Sequence, residues 1–266
     1  MRVKPTVLKL GGSVITNKEK TLTPRLPAIE RLTKEISRAN VSPLVLVHGG
    51  GSFGHPLAKR YAIKEGYKND ASQALGFCET HQAMVTLNKL LVDALIQHNI
   101  PAVAVSPSSC VITKSGRIHI MFEEPLKKLL QTGFVPVFFG DVVIDSDLGF
   151  TILSGDQLAT YLAMHLNASR IIMGIDVDGL FTSNPKIDSS ARLVNRITLE
   201  ELKRMLERIE ESKATDVTGG MLGKIAELLP AVERGILSFI VNAAKSNNVY
   251  KALKGEKAVG TLIERG

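Results

Sequence analysis

A chain of 266 residues, 44% hydrophobic and 22% charged, can bury a sizeable core in one large α/β domain or two small ones. Its 33 Lys and Arg against 26 Asp and Glu leave a charge of +7, which favours anionic partners; with aromatics at 5%, no Trp and scattered basic residues, it offers nucleic acid neither a stacking platform nor a basic arm. Cys78 and Cys110 are too few for a disulfide framework or a metal spacing and suit a cytoplasmic setting, and no stretch approaches the ~18 apolar residues of a membrane span.

Arg2 and Lys4 before Val7-Leu8 imitate a signal peptide, but Lys9 and Gly11-Gly12 interrupt the apolar region. Thr6 to Leu10 reads as a strand ending at Gly11-Gly12-Ser13, and Pro27 to Ala39 as a helix with Ile29, Leu32 and Ile36 at helical spacing. Leu44 to Val47 is a short, wholly apolar strand of the kind found in buried parallel sheets. The spacing of Met84, Leu87, Leu91 and Leu95 predicts a long helix over 72–98, followed by a strand at 102–105. A hairpin is expected over 111–122 about Lys114-Ser115-Gly116-Arg117, then a helix at 125–131 and a strand at 135–139 ending in Gly140-Asp141. A second hairpin, 142–144 with 151–153, leads to a helix from Gly155 to Leu166 and a strand at 170–173. Beyond the loop 174–185, helices are expected at 199–209 and 221–234, the latter open to a kink at Pro230. A strand at 238–241, a helix at 249–253 and a strand at 261–263 complete the chain. Strands alternating with helices, with no linker or repeat, predict a single α/β domain over 1–266: an open, mainly parallel sheet sandwiched between helices.

In such folds ligands sit beyond the carboxyl ends of the strands. Glycine-rich junctions stand there repeatedly: 11–13, 49–54, 140–141, 154–156, 174–178 and 219–224. Most precede a helix, whose free N–H groups and partial positive charge suit phosphate, and Lys9, Lys18 and Lys224 lie near them. The richest, His48 to His55 (HGGGSFGH), formally contains a dinucleotide fingerprint at Gly49, Gly51 and Gly54. It follows the second strand, however, and no acidic residue ends the next strand near 105, which argues against a nicotinamide cofactor. The stretch 219–224 approaches a Walker loop but has Thr218 for its first glycine and Ile225 for its Ser or Thr.

Taken together, KLGGS at 9–13, HGGGSFGH at 48–55, SGD at 154–156, GIDVDGLF at 174–181, TGGMLGK at 218–224 and GTLIE at 260–264 resemble the amino acid kinase superfamily, in order and over nearly the whole chain. Within it, His55 resembles the isopentenyl phosphate kinase branch, although fosfomycin kinase-like proteins also carry a histidine here. The resemblance implies ATP-dependent phosphorylation of isopentenyl phosphate. Two alternatives stay open: a small phosphonate or phosphate kinase, and a non-enzymatic nucleotide-binding sensor of the same fold. It also implies a homodimer, Mg²⁺ arriving with ATP and bound mainly through its phosphates, an N-terminal part serving the acceptor and a part from about 170 serving the nucleotide.

A phosphate acceptor needs no general base, because it is already an anionic nucleophile near neutral pH. The task is to bring two anions together, which lysines, backbone N–H groups and a donating histidine can do. On the resemblance, Lys9 and Lys224 bind the transferring phosphates and Lys18 is a further catalytic lysine, its other reading being a solvated loop lysine. Asp156 would hold Lys9 and Lys224 in place, cap its helix, or both. Gly11, Gly12, Ser13, Gly51, Asp176, Gly179, Phe181, Gly219 and Gly220 would bind ATP. Gly50, Gly51, Gly54, His55, Gly140 and Gly155 would line the acceptor site, with His55 donating to the acceptor phosphate from the start of the next helix. Phe77 and Met84 are candidates for an apolar slot around the acceptor tail, or else plain core. His48 reads as structural, and His81 and His119 as satisfied or exposed, since no metal-ligand spacing accompanies them and no metal ligand is named.

Overall fold

The computed structural model describes residues 3–183, 185, 188–211 and 221–266, with backbone only over 208–211. Strands buried on both faces decide its architecture. In β1 (Thr6–Leu10), Val7 enters one core while Leu8 and Leu10 enter another. β2 (Leu44–His48) repeats this, with Val45 and Val47 against Leu44 and Leu46. So does β9 (Arg170–Ile175), with Ile171 and Met173 against Ile172. Strict alternation with both faces apolar forces helices onto each side, and parallel pairing requires crossovers to carry them.

The helices are α1 (Gly12–Ile15), α2 (Leu26–Ala39), α3 (Gly51–Arg60), α4 (Ala71–Gln97), α5 (Glu124–Gln131), α6 (Gly155–His165), α7 (Leu199–Glu211), α8 (Met221–Glu233) and α9 (Asn248–Lys254). The remaining strands are β3 (Ala102–Ala104), β4 (Val111–Lys114), β5 (Arg117–Met121), β6 (Val135–Phe139), β7 (Asp141–Asp145), β8 (Gly149–Leu153), β10 (Arg196–Thr198), β11 (Leu237–Asn242) and β12 (Gly260–Glu264). The Val7 face is covered by α6 and α8 through Leu158, Leu162, Ile225 and Leu228. The Leu8 face is covered by α2, α4 and α9 through Leu32, Leu87, Leu91 and Val249. No described helix is long and apolar enough to cross a membrane.

The main sheet runs β10-β12-β11-β9-β1-β2-β6-β3, parallel except where β11 meets β12. Chain order therefore reverses at β1: β2, β6 and β3 lie to one side, and β9, β11, β12 and β10 to the other. Such a switch point opens a crevice at the carboxyl ends of the central strands. The two expected hairpins are present and join into a second sheet, β5-β4-β7-β8, by parallel pairing of Ile112 with Ile144. That union was not legible in either hairpin alone. A further element, α3, replaces most of the expected glycine loop at 49–54. Its glycines are poor helix formers, but Phe53 and Ala58 are buried and Thr16 Oγ1 accepts from Ser52 N at 3.0 Å, so tertiary contacts override propensity.

Candidate active site

β9, β1, β2 and β6 are neighbours, and their exits Asp176, Gly11, Gly49 and Gly140 meet at one end of the sheet. Two backbones touch there. A Cβ on Gly12 would stand 2.2 Å from Gly51 N, and Gly51 itself has φ +49 with space only for hydrogen, since its Cβ would meet Thr16 Oγ1 at 2.1 Å. Thr16, which sequence reasoning passed over, clasps the two helix starts by donating to Gly12 O at 2.8 Å and accepting from Ser52 N. α1, α3 and α6 thus begin around one cavity of about 450 Å³, lined by Gly11, Gly12, Ser13, Gly50, Gly51, Gly54, Gly140 and Gly155. Helix starts aimed at a common space make it an anion site.

Three candidate charges form one unit in its wall. Asp156 Oδ1 lies 2.6 Å from Lys9 Nζ and Asp156 Oδ2 lies 2.8 Å from Lys224 Nζ. They come from β1, α6 and α8. Asp156 is not the helix cap: Ser154 Oγ accepts from Gln157 N at 3.0 Å and fills that role, leaving both Asp156 oxygens to the lysines. Burial raises the Asp156 pKa, but Lys9 and Lys224 outweigh it and hold the carboxyl below its ordinary range. Burial pushes the Lys9 ammonium down, against the pull of Asp156 and with the repulsion of Lys224.

His55 lines the same cavity but is the fifth residue of α3 rather than its first, because the helix starts at Gly51. Its ring has solvent access, yet desolvation and the charges of Lys224 and Lys9 set its pKa below the ordinary value. The ring is therefore a neutral imidazole near pH 7, able to donate from one nitrogen. His48 is fully buried and neutral, its pKa pushed down to about 4 by burial. Asn88 Nδ2 lies 3.1 Å from its Nε2, and Gly49 O lies 3.1 Å from its Nδ1, a structural histidine as expected. His81 is satisfied by Asp141, Nδ1 lying 3.1 Å from both carboxylate oxygens, and His119 is exposed.

Lys18 also faces the cavity and pairs with Asp176 at 2.5 Å across its mouth. Gly179 and Phe181 lie outside the cavity lining. Gly179 packs on Thr261, whose Oγ1 accepts from Leu180 N at 2.8 Å, and Phe181 bridges to Leu193. Gly219 and Gly220 lie outside the described residues. Away from the charges the lining turns apolar through Ala58, Met84, Val142, Ile152 and Leu153. Met84 is therefore both core and lining. Phe77 is not in the lining: it packs on Phe150, ring centroids 5.5 Å apart, in the cluster behind the slot. Its place at the slot is taken by Val142 and Ile152 from β7 and β8, which sequence reasoning read only as hairpin strands. Among the described residues no group of three or more His, Cys, Asp or Glu could hold a metal.

The model of the amino acid kinase family matches residues 4–242. The isopentenyl phosphate kinase of Methanothermobacter thermautotrophicus is 43% identical over 97% of this chain and 98% of its own length. That of Methanocaldococcus jannaschii is 38% identical with the same coverage of both chains. A solved structure described as isopentenyl phosphate kinase superimposes with a TM-score of 0.85 at 40% identity, over 97% of this chain and 100% of that one. The chain belongs to the amino acid kinase family and, within it, to the isopentenyl phosphate kinases.

Proposed function

We infer that the protein transfers the γ-phosphoryl group of ATP to the phosphate of isopentenyl phosphate, giving isopentenyl diphosphate and ADP. The observation that carries this reading is one carboxylate tethering two lysines on the wall of a glycine-lined cavity whose other end is apolar. An acceptor phosphate oxygen attacks the γ-phosphorus. The bond to the β,γ-bridging oxygen breaks, and its electron pair leaves with ADP. Lys9 and Lys224 neutralise the transferring group, and Asp156 fixes their separation. His55 donates to the acceptor phosphate. Once two phosphates are bound, their charge favours the imidazolium.

Lys18 completes the charge at the mouth on leaving Asp176 for a phosphate. The half on the β9 side serves the nucleotide, with Asp176, Gly179 and Phe181 in that role, and the half on the β2 side serves the acceptor; Gly219 and Gly220, outside the described residues, are assigned to the nucleotide from their sequence alone. At the cavity Asp156 and Asp176 are held by lysines and Asp141 by His81, which fits a Mg²⁺ carried by phosphate and water rather than by a protein cage. When bound, that ion withdraws charge from the phosphates of ATP. A cytoplasmic homodimer belongs to the same reading, and sedimentation tests the dimer.

The experiment is turnover of ATP with isopentenyl phosphate, fosfomycin and N-acetylglutamate as competing acceptors. The reading expects isopentenyl phosphate to have the highest kcat/KM. Preference for either other acceptor contradicts it.

A further inference from the structure

The second sheet reaches past the acceptor slot and grips the two helices that carry Asp156 and Lys224. Its β4–β5 turn, Ser115-Gly116, has φ +47 and +77, the pair of positive values that a tight two-residue hairpin turn requires. Asp145 holds that turn from below, accepting from Ser115 N at 3.2 Å and Gly116 N at 2.8 Å, and from Asp147 N and Leu148 N at 2.9 Å each. A rigid tip is thus presented to α6 and α8.

Two grips follow. Gln157, 7% exposed, accepts from Ile118 N at 2.9 Å and donates to Gly116 O at 3.1 Å, so its amide pairs with the strand as another strand would. Arg117 binds Glu227 through two parallel bonds of 2.7 and 3.0 Å. Gln157 directly follows Asp156. Glu227 lies three residues beyond Lys224, one turn along the same helix. The hairpin tip therefore ties together the residues adjoining both ends of the Asp156–Lys224 ion pair, and the sheet it belongs to also supplies Val142 and Ile152 to the acceptor slot.

We propose that the 115–117 hairpin tip is a clamp that sets the spacing of α6 and α8, with Arg117 and Glu227 as positioning residues for Lys224. The proposal rests on the kinase reading above. An exposed ion pair contributes little to global stability, and Arg117 is 62% exposed, so loosening this pair should leave the fold intact. Its effect falls on alignment, where small misplacements of a catalytic group are costly. Substrate binding, made mainly by backbone N–H groups and Lys9, is not expected to depend on it.

The test compares Arg117→Ala, Arg117→Glu and the swap Arg117→Glu/Glu227→Arg with wild type. Expected are a kcat lowered about fivefold in Arg117→Ala and about tenfold in Arg117→Glu, with KM for both substrates within about twofold, and recovery in the swap to within about twofold of wild type. Wild-type kcat in both single variants overturns the clamp. So does a rise in KM without loss of kcat, or a swap that restores nothing. Amide hydrogen exchange over 221–229 gives a readout independent of the acceptor. It should quicken in Arg117→Ala and return in the swap, and unchanged exchange also overturns the proposal. A wild-type protein inert toward isopentenyl phosphate would refute the kinase reading, while the exchange data would still decide the clamp.

Discussion

Asp156 carries more of this site than any other residue. Lys9 is 3% exposed, so its charge is tolerable only beside a partner. Asp156→Asn removes that partner and leaves an uncompensated buried ammonium. We expect a loss of about 3 kcal/mol in urea unfolding, as for other broken buried pairs, together with loss of turnover. Lys224 is more open, with 31% of its side chain exposed, and its loss should leave the fold unchanged. Lys224→Ala should lower kcat by about 10²–10³, the range for one preorganised electrostatic donor. A folded variant with near-wild-type kcat removes Lys224 from the mechanism. His55 makes a different prediction. Desolvation first, and then the charges of Lys224 and Lys9, depress its pKa, and an arriving dianion opposes them. Acceptor binding near pH 7 should therefore draw a proton onto His55. Calorimetry in buffers of different ionisation enthalpy should show that uptake in wild type and less of it in His55→Gln. Equal proton linkage in the two proteins contradicts the assignment.

At the scale of elements, the strands were legible because their composition leaves no other reading: 44–47 and 135–139 are apolar throughout and too short for helices. The long α4 was legible from its period. What α4 faces was not. Phe77 and Met84 share a helix face, but seven residues place them about 10 Å apart along the axis. The cavity ends at Thr80, and Phe150 covers what lies beyond. Nor could spacing show that Ser154 rather than Asp156 caps α6, since both residue types are good caps. The glycines at 11–12 and 49–51 were legible as strand-exit turns that line one cavity, but their mutual contact was not, because it joins residues some forty positions apart. That contact is testable. Gly12→Ala places a methyl 2.2 Å from Gly51 N, against backbone that cannot swing aside. We expect loss of ATP binding by calorimetry in a protein whose helical content by circular dichroism is near wild type. Unaltered ATP affinity would mean that α1 and α3 do not share one phosphate site.

For the whole molecule, the reversal of chain order at β1 opens one crevice to both parts of the chain: the part before β9 brings the starts of α1, α3 and α6 to it, and the part from β9 onward brings Ile175 and Lys224. It also places His48 in the middle of the core, stacked against Phe139. Its pKa of about 4 when folded lies below the ordinary 6.5 of the unfolded chain, so unfolding takes up a proton between those values. The stabilising share is full above pH about 6.5 and is lost as pH falls toward 4, a loss of about 3 kcal/mol for a shift of this size. Urea titrations at stepped pH should show that decline, and in His48→Gln, which has no proton to gain, the decline over this window should shrink. The same slope in both proteins contradicts the assignment of His48 as a buried neutral residue.

The central claim is that this cavity joins a phosphate to a phosphate. Phosphorus NMR of the purified protein with ATP–Mg²⁺ and isopentenyl phosphate tests it most directly. The account predicts that the monoester resonance disappears in step with the γ-phosphate of ATP, while the paired resonances of a new diphosphate and those of ADP grow in equal amounts. Consumption of ATP with inorganic phosphate as the product and the monoester unchanged would contradict it.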